Sequence, residues 1–248
     1  VTIPVGIIGG SALAQCAGLA DVRTSHPKTP FGRPSGPLSR GRLAGCDVFF
    51  LMRHGPEPRI APHRINYRAN LRALYDLGCE SVIGVAAVGG ITSAMTPGQV
   101  VVPDQIIDYT WGRTQTFYDD DRRGALDHVD FTYPYSRSVR QALVEGAHYA
   151  GISVEDYGVH GVTQGPRLET AAEINRLAND GCDIVGMTGM PEAGLARELG
   201  IAYGCLGIVV NGAAGRTGND TIHGQIGTRL ERAAIDAEAV VGAAVAML

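Results

Sequence analysis

The chain has 248 residues, 45% of them hydrophobic, with 21 basic against 25 acidic side chains, a formal charge of −4 and a pI near 6.0. That length can bury a full core, and with no linker in sight a single α/β domain spanning 1–248 is the expectation. The acidic balance leaves no basic stripe for a nucleic-acid partner, and no apolar stretch approaches the roughly 20 residues of a membrane span.

Val5–Ile8 opens the chain as a strand; the first residues lack the basic region of a signal peptide, so a cytoplasmic protein is expected. Five cysteines (Cys16, Cys46, Cys79, Cys182 and Cys205) are scattered without a C-x-x-C pair, which points to small buried hydrophobes in a reducing compartment and to neither a zinc site nor a disulfide framework. Further apolar runs at Asp47–Leu51, Ser81–Val85, Val100–Ile107, Asp183–Gly186 and Gly204–Val210 lack strict alternation, as strands covered on both faces do. Between them lie helical patterns at Asn66–Leu77, Ser138–Ala150, Glu169–Asn179, Pro191–Leu199 and Gln225–Leu248. The Pro- and Gly-rich stretch Pro27–Gly41 and the polar stretch Arg113–Asp127 read as loops. In the second, Asp119, Asp120 and Asp121 are adjacent and followed by Arg122 and Arg123, a solvated run without a metal-loop pattern.

Several strand ends carry side chains suited to an anion. Gly9 and Gly10 let backbone N–H groups approach, and Ser11 adds a hydroxyl. Arg53 and His54 follow a strand, where a guanidinium can fork onto phosphate oxygens. Ala86 and Ala87 are small and allow close backbone approach, and Thr188 is one more donor just past a strand. A dinucleotide fingerprint is not met, because G-x-G-x-x-G is absent. For a heterocycle, the amide of Asn211 can donate and accept together, and Glu169 offers a carboxylate. Each alone has a structural alternative: a turn former for Asn211 and a helix-dipole carboxylate for Glu169. Convergence of strand ends on one ligand is how an open α/β sheet builds a site.

The strings GGS at Gly9–Ser11, RHG at Arg53–Gly55, the block His63–Ile91, TQGPRLET from Thr163 and GMTGMPE from Gly186 resemble the trimeric purine nucleoside phosphorylase and methylthioadenosine phosphorylase family. The resemblance runs from Val5 to about Ala213. It implies a large mixed, twisted β-sheet flanked by helices, a homotrimer, and a phosphorylase of purine salvage. By that resemblance Ser11, Arg53, His54, Thr188 and the backbone at Ala86 and Ala87 hold phosphate, a co-substrate, with no cofactor or metal. Met187 packs on the ribose, Asn211 with Gly212 and Ala213 faces the base, and His128 reaches the 5′ pocket of a neighbouring subunit. Adenine-preferring relatives carry aspartates where this chain has Asn211 and Ala213. Glu169 matches a glutamate of the 6-oxopurine enzymes, so the S-methyl-5′-thioinosine phosphorylase branch is the nearest likeness. A methylthioadenosine phosphorylase or a general inosine and guanosine phosphorylase are the alternatives within the family. His223 falls near the place of a histidine used by enzymes that accept a 5′-hydroxyl, though a helix-start histidine fits it as well. Outside phosphorolysis stand a nucleosidase that uses water and a non-catalytic ligand binder.

Overall fold

The computed structural model describes residues 3–13, 15–56, 60–119, 126–216 and 222–248, and leaves aside the side chains of 222–230. In chain order the strands are β1 (Val5–Gly9), β2 (Ala20–Ser25), β3 (Leu38–Leu43), β4 (Cys46–Met52), β5 (Ser81–Gly90), β6 (Val100–Val101), β7 (Gln105–Asp108), β8 (Val154–Glu155), β9 (Val159–Val162), β10 (Ile184–Gly186) and β11 (Ala202–Gly212). The α-helices are α1 (Tyr67–Asp76), α2 (Arg137–Tyr149), α3 (Ala171–Asn179), α4 (Gly189–Glu198) and α5 (Ile222–Val245).

All these strands join one mixed sheet. Its main path runs β2-β3-β4-β1-β5-β10-β9-β7, and a second arm leaves β5 through β11 to β6 and β8. β5 is therefore the shared strand. β11 lies parallel along its whole length, so the opposite edge is divided: β1 pairs with Ser81–Gly84 and β10 only with Gly89 and Gly90.

Consecutive strand residues fall into different cores, as expected for a sheet covered on both faces. Ile8, Phe49, Leu51 and Val82 pack in one cluster with Leu71 and Leu74 of α1 and Leu195 of α4. Their neighbours Ile7, Val48, Phe50 and Ile83 pack in another with Leu143 of α2 and Ala237, Val240 and Val241 of α5. Leu177 of α3 and Cys182 belong to a smaller cluster. All five cysteines are free thiols.

Three readings of the sequence change. The run Val100–Ile107 is two strands, because Pro103 has no N–H for a ladder and Asp104 turns aside to accept from the Gly158 amide at 2.9 Å. Strand β5 runs on past the apolar run Ser81–Val85 and takes in Ala86–Gly90. Gly41 lies inside β3 and not in a loop. β2 is exposed at every residue, so it gives no hydrophobic pattern, and its charged Asp21 and Arg23 suit a sheet edge. The stretch from Arg113 is a loop but is not uniformly solvated, since Phe117 is fully buried and Arg113 is half-buried. Asp120, Asp121, Arg122 and Arg123 lie outside the described residues.

Candidate active site

The carboxyl ends of β1, β4, β5, β10 and β11 surround a cavity of about 370 Å³. Ser11 and Arg53 enter it beyond β1 and β4, Ala86 and Ala87 from within β5, Met187 and Thr188 beyond β10, and Asn211 from β11. His54, Glu169 and Ala213 line it as well. Gly212 and His128 do not. Gly212 ends β11, and His128 is exposed on a loop.

The two ends of the cavity differ chemically. At one, Ser11 opens a short 3-10 turn and Thr188 occupies the N-cap position of α4, both hydroxyls available to an anion. His54 Nδ1 lies 2.8 Å from the Ile60 carbonyl, which can only accept, so Nδ1 carries a proton. Arg53 departs from the arrangement its sequence position implies. Its fork is turned away from the cavity onto Glu192, with Nε and Nη2 each 2.8 Å from a carboxylate oxygen. Nη1 donates to Val85 O at 2.7 Å and Nη2 also to Ile8 O at 3.3 Å. Four of the five guanidinium N–H groups are thereby engaged, leaving one on Nη1. Burial opposes the charge of Arg53, but the field and hydrogen bonds of Glu192 outweigh it and raise its pKa.

At the other end stand Glu169 and Asn211. Glu169 is not in a helix; it precedes Thr170, the N-cap of α3. Its Oε1 accepts from Thr163 Oγ1 at 2.5 Å, which fixes the carboxylate at the cavity wall. Asn211 is buried, and its Nδ2 donates to Gly212 O at 2.7 Å, leaving one N–H of the amide beyond this bond. A β-bulge sets its direction: β11 is in register with β5 from Ala202 to Val209, then slips so that Asn211 opposes Gly89. Val210 and Asn211, on either side of the slip, both line the cavity.

Four supporting residues escaped the sequence. Arg113 donates to Met187 O, Met190 O, Thr163 O and Gln164 O, at 2.9, 2.6, 3.2 and 2.8 Å, and so ties the Thr163 and Met187 segments together. Burial lowers its pKa. Glu192 and Tyr203 lie behind Arg53, Tyr203 Oη donating to Glu192 Oε1 at 2.7 Å. His160 is buried behind Gly186 and Gly189, with Nδ1 3.2 Å from Tyr135 Oη. Nothing local in the sequence marks these partners, since Arg53 and Glu192 stand 139 positions apart. The side chain of His223 lies outside the described residues.

Among the described residues no group of three or more His, Cys, Asp or Glu is placed to hold a metal ion. Nor is any described helix long and apolar enough to cross a membrane.

The cavity thus has anion donors at one end and a carboxylate and amide pair at the other. The chain matches the phosphorylase superfamily over residues 4–246 and belongs to that family. A relative from Xylella fastidiosa (strain 9a5c), named a probable S-methyl-5′-thioinosine phosphorylase, is 53% identical over 214 residues, 86% of this chain and 90% of the relative. A 6-oxopurine nucleoside phosphorylase of Pyrococcus furiosus is 40% identical over 98% of this chain and 92% of its own length. Among solved structures, a methylthioadenosine phosphorylase from Schistosoma mansoni in complex with adenine superposes with a TM-score of 0.94 at 31% identity, covering 99% of this chain and 91% of that one.

Proposed function

We propose that this protein catalyses reversible phosphorolysis of a purine nucleoside, with S-methyl-5′-thioinosine as the preferred substrate. The observation that carries the reading is the presence of Glu169 and Asn211 in the same cavity as Ser11, His54 and Thr188. A phosphate oxygen attacks C1′ as the bond from C1′ to N9 breaks, and the bonding pair leaves with the base, which takes up a proton. Positive charge grows on the sugar and negative charge on the purine. An Asn211 N–H directed at N7 strengthens as that charge develops, which is where stabilisation accelerates the reaction. Ser11, Thr188 and the remaining Nη1 N–H of Arg53 hold the phosphate below the sugar, joined by His54 as an imidazolium whose Nε2 also carries a proton.

Glu169 favours a 6-oxopurine. Its carboxylate accepts N1–H of hypoxanthine, whereas N1 of adenine presents a lone pair, a mismatch on the order of 1–3 kcal/mol. The relatives named for methylthioinosine and for 6-oxopurine nucleosides support that choice. Met187 packs on the ribose. The 5′ pocket is completed by His128 of a neighbouring subunit in a homotrimer, for which its exposure and its place outside this chain's own cavity leave room.

Base release from methylthioinosine, methylthioadenosine and inosine, each with and without phosphate, tests the reading. Methylthioinosine cleavage that requires phosphate is expected; release in its absence makes the protein a nucleosidase and overturns it. Asn211→Ala should lower kcat by about 10²-fold with phosphate binding largely retained. Near-normal turnover by that variant removes Asn211 from the mechanism.

A further inference from the structure

Val85 marks the place where β5 loses its neighbour. β1 pairs with it as far as Ile8 opposite Gly84, and β10 takes over that edge only at Gly89. Carbonyls left unpaired in such a buried fork cost about 1–3 kcal/mol each. Arg53 fills the fork: its guanidinium donates to Ile8 O on one strand and Val85 O on the other. Glu192, fully buried, grips the opposite side of the guanidinium through both oxygens. Tyr203 Oη in turn holds Glu192 Oε1 at 2.7 Å.

Two glycines keep room for this arrangement. A Cβ on Gly84 would stand 2.2 Å from Tyr203 Oη and 2.9 Å from Glu192 Oε1. One on Gly10 would stand 2.7 Å from both Arg53 Nη1 and Val85 O. The guanidinium is thus held through four of its N–H groups, with one Nη1 N–H left over on a residue that lines the cavity.

The geometry points to Glu192 and Tyr203 as positioning residues for phosphate, aiming the last N–H of Arg53 into the cavity without touching the substrate. The inference rests on the phosphorolysis reading for the identity of the anion. Glu192 also balances the charge of Arg53, so direction, more than net charge, is what Arg53 brings to the site. Loosening the carboxylate should therefore weaken phosphate and leave the nucleoside end, with Glu169 and Asn211, unaffected.

Tyr203→Phe is the decisive variant, because it removes one hydroxyl and keeps the ring stacked on Tyr135 at 6.1 Å. The expected result is a rise in KM for phosphate of about tenfold, the effect of one hydrogen bond to a charged group. KM for the nucleoside and kcat at saturating phosphate should stay within about twofold of wild type. Calorimetric titration with inorganic phosphate reads the same loss without turnover. A folded Tyr203→Phe with wild-type phosphate affinity overturns the positioning role and leaves phosphorolysis standing. A wild-type protein that binds no phosphate overturns phosphorolysis itself. If Tyr203→Phe fails to fold, Glu192→Gln is read in the same way, and failure of both to fold makes the network purely structural and refutes the proposal.

Discussion

His160 shows how a single residue behind the cavity writes itself into the stability of the chain. Burial, and next the nearby charge of Arg53, hold its pKa down at about 4 against an ordinary 6.5, so the ring is neutral near pH 7. Its Nε2 has no hydrogen-bond partner among the described residues. An unfolded chain takes up this proton below about pH 6.5 and the folded one only near 4, so stability is lost as pH falls through that window. Between pH 7 and 5 the loss should be about 2 kcal/mol, and His160→Gln should flatten that part of the curve. Parallel unfolding curves for the two proteins would contradict it. Selectivity also belongs at this scale. Asn211→Asp with Ala213→Asp should move preference toward 6-amino nucleosides, and a double variant that still favours methylthioinosine would refute the argument from the purine edge. Ser11, His54, Thr188 and Asn211 were legible because each stands at the end of an apolar run. Arg53 was legible in place but not in direction, because its partner arrives from α4.

At the scale of elements, strands and helices announced themselves where burial is one-sided or complete, as in α1 with Leu71 and Leu74. They stayed hidden where pattern and environment part, as in the exposed β2 and in β9, whose four residues include Gly161 and the buried His160. The start of α3 was misplaced by two residues, and its cap explains why. Thr170 Oγ1 accepts from Glu173 N at 3.1 Å, and Glu173 Oε2 accepts from Thr170 N at 2.7 Å. This reciprocal pair begins the helix after Thr170 and leaves Glu169 outside it, on the cavity wall. Thr170→Ala should cost about 1 kcal/mol. A lower denaturant midpoint with an unchanged m-value would bear that out; no shift in midpoint would contradict it.

For the whole molecule, the doubly covered sheet was readable from unalternating apolar runs, whereas the branch at β5 was not, since strand pairing across the chain leaves no local trace. Trp111, Leu126 and Tyr133 are 71%, 61% and 73% exposed, apolar surface that a neighbouring subunit can cover. Sedimentation should find an assembly of about three 26.1 kDa chains, in line with the expected contribution of His128. A monomer that turns over methylthioinosine normally would remove His128 from the 5′ pocket. The bulge in β11 has a bearing on how such an enzyme can change. Ahead of it, eight residues are locked in register with β5; past it, Asn211 and its neighbours are offset from that lattice. Substitutions at this tip can reshape the cavity wall while the eight residues beneath it keep their register with β5.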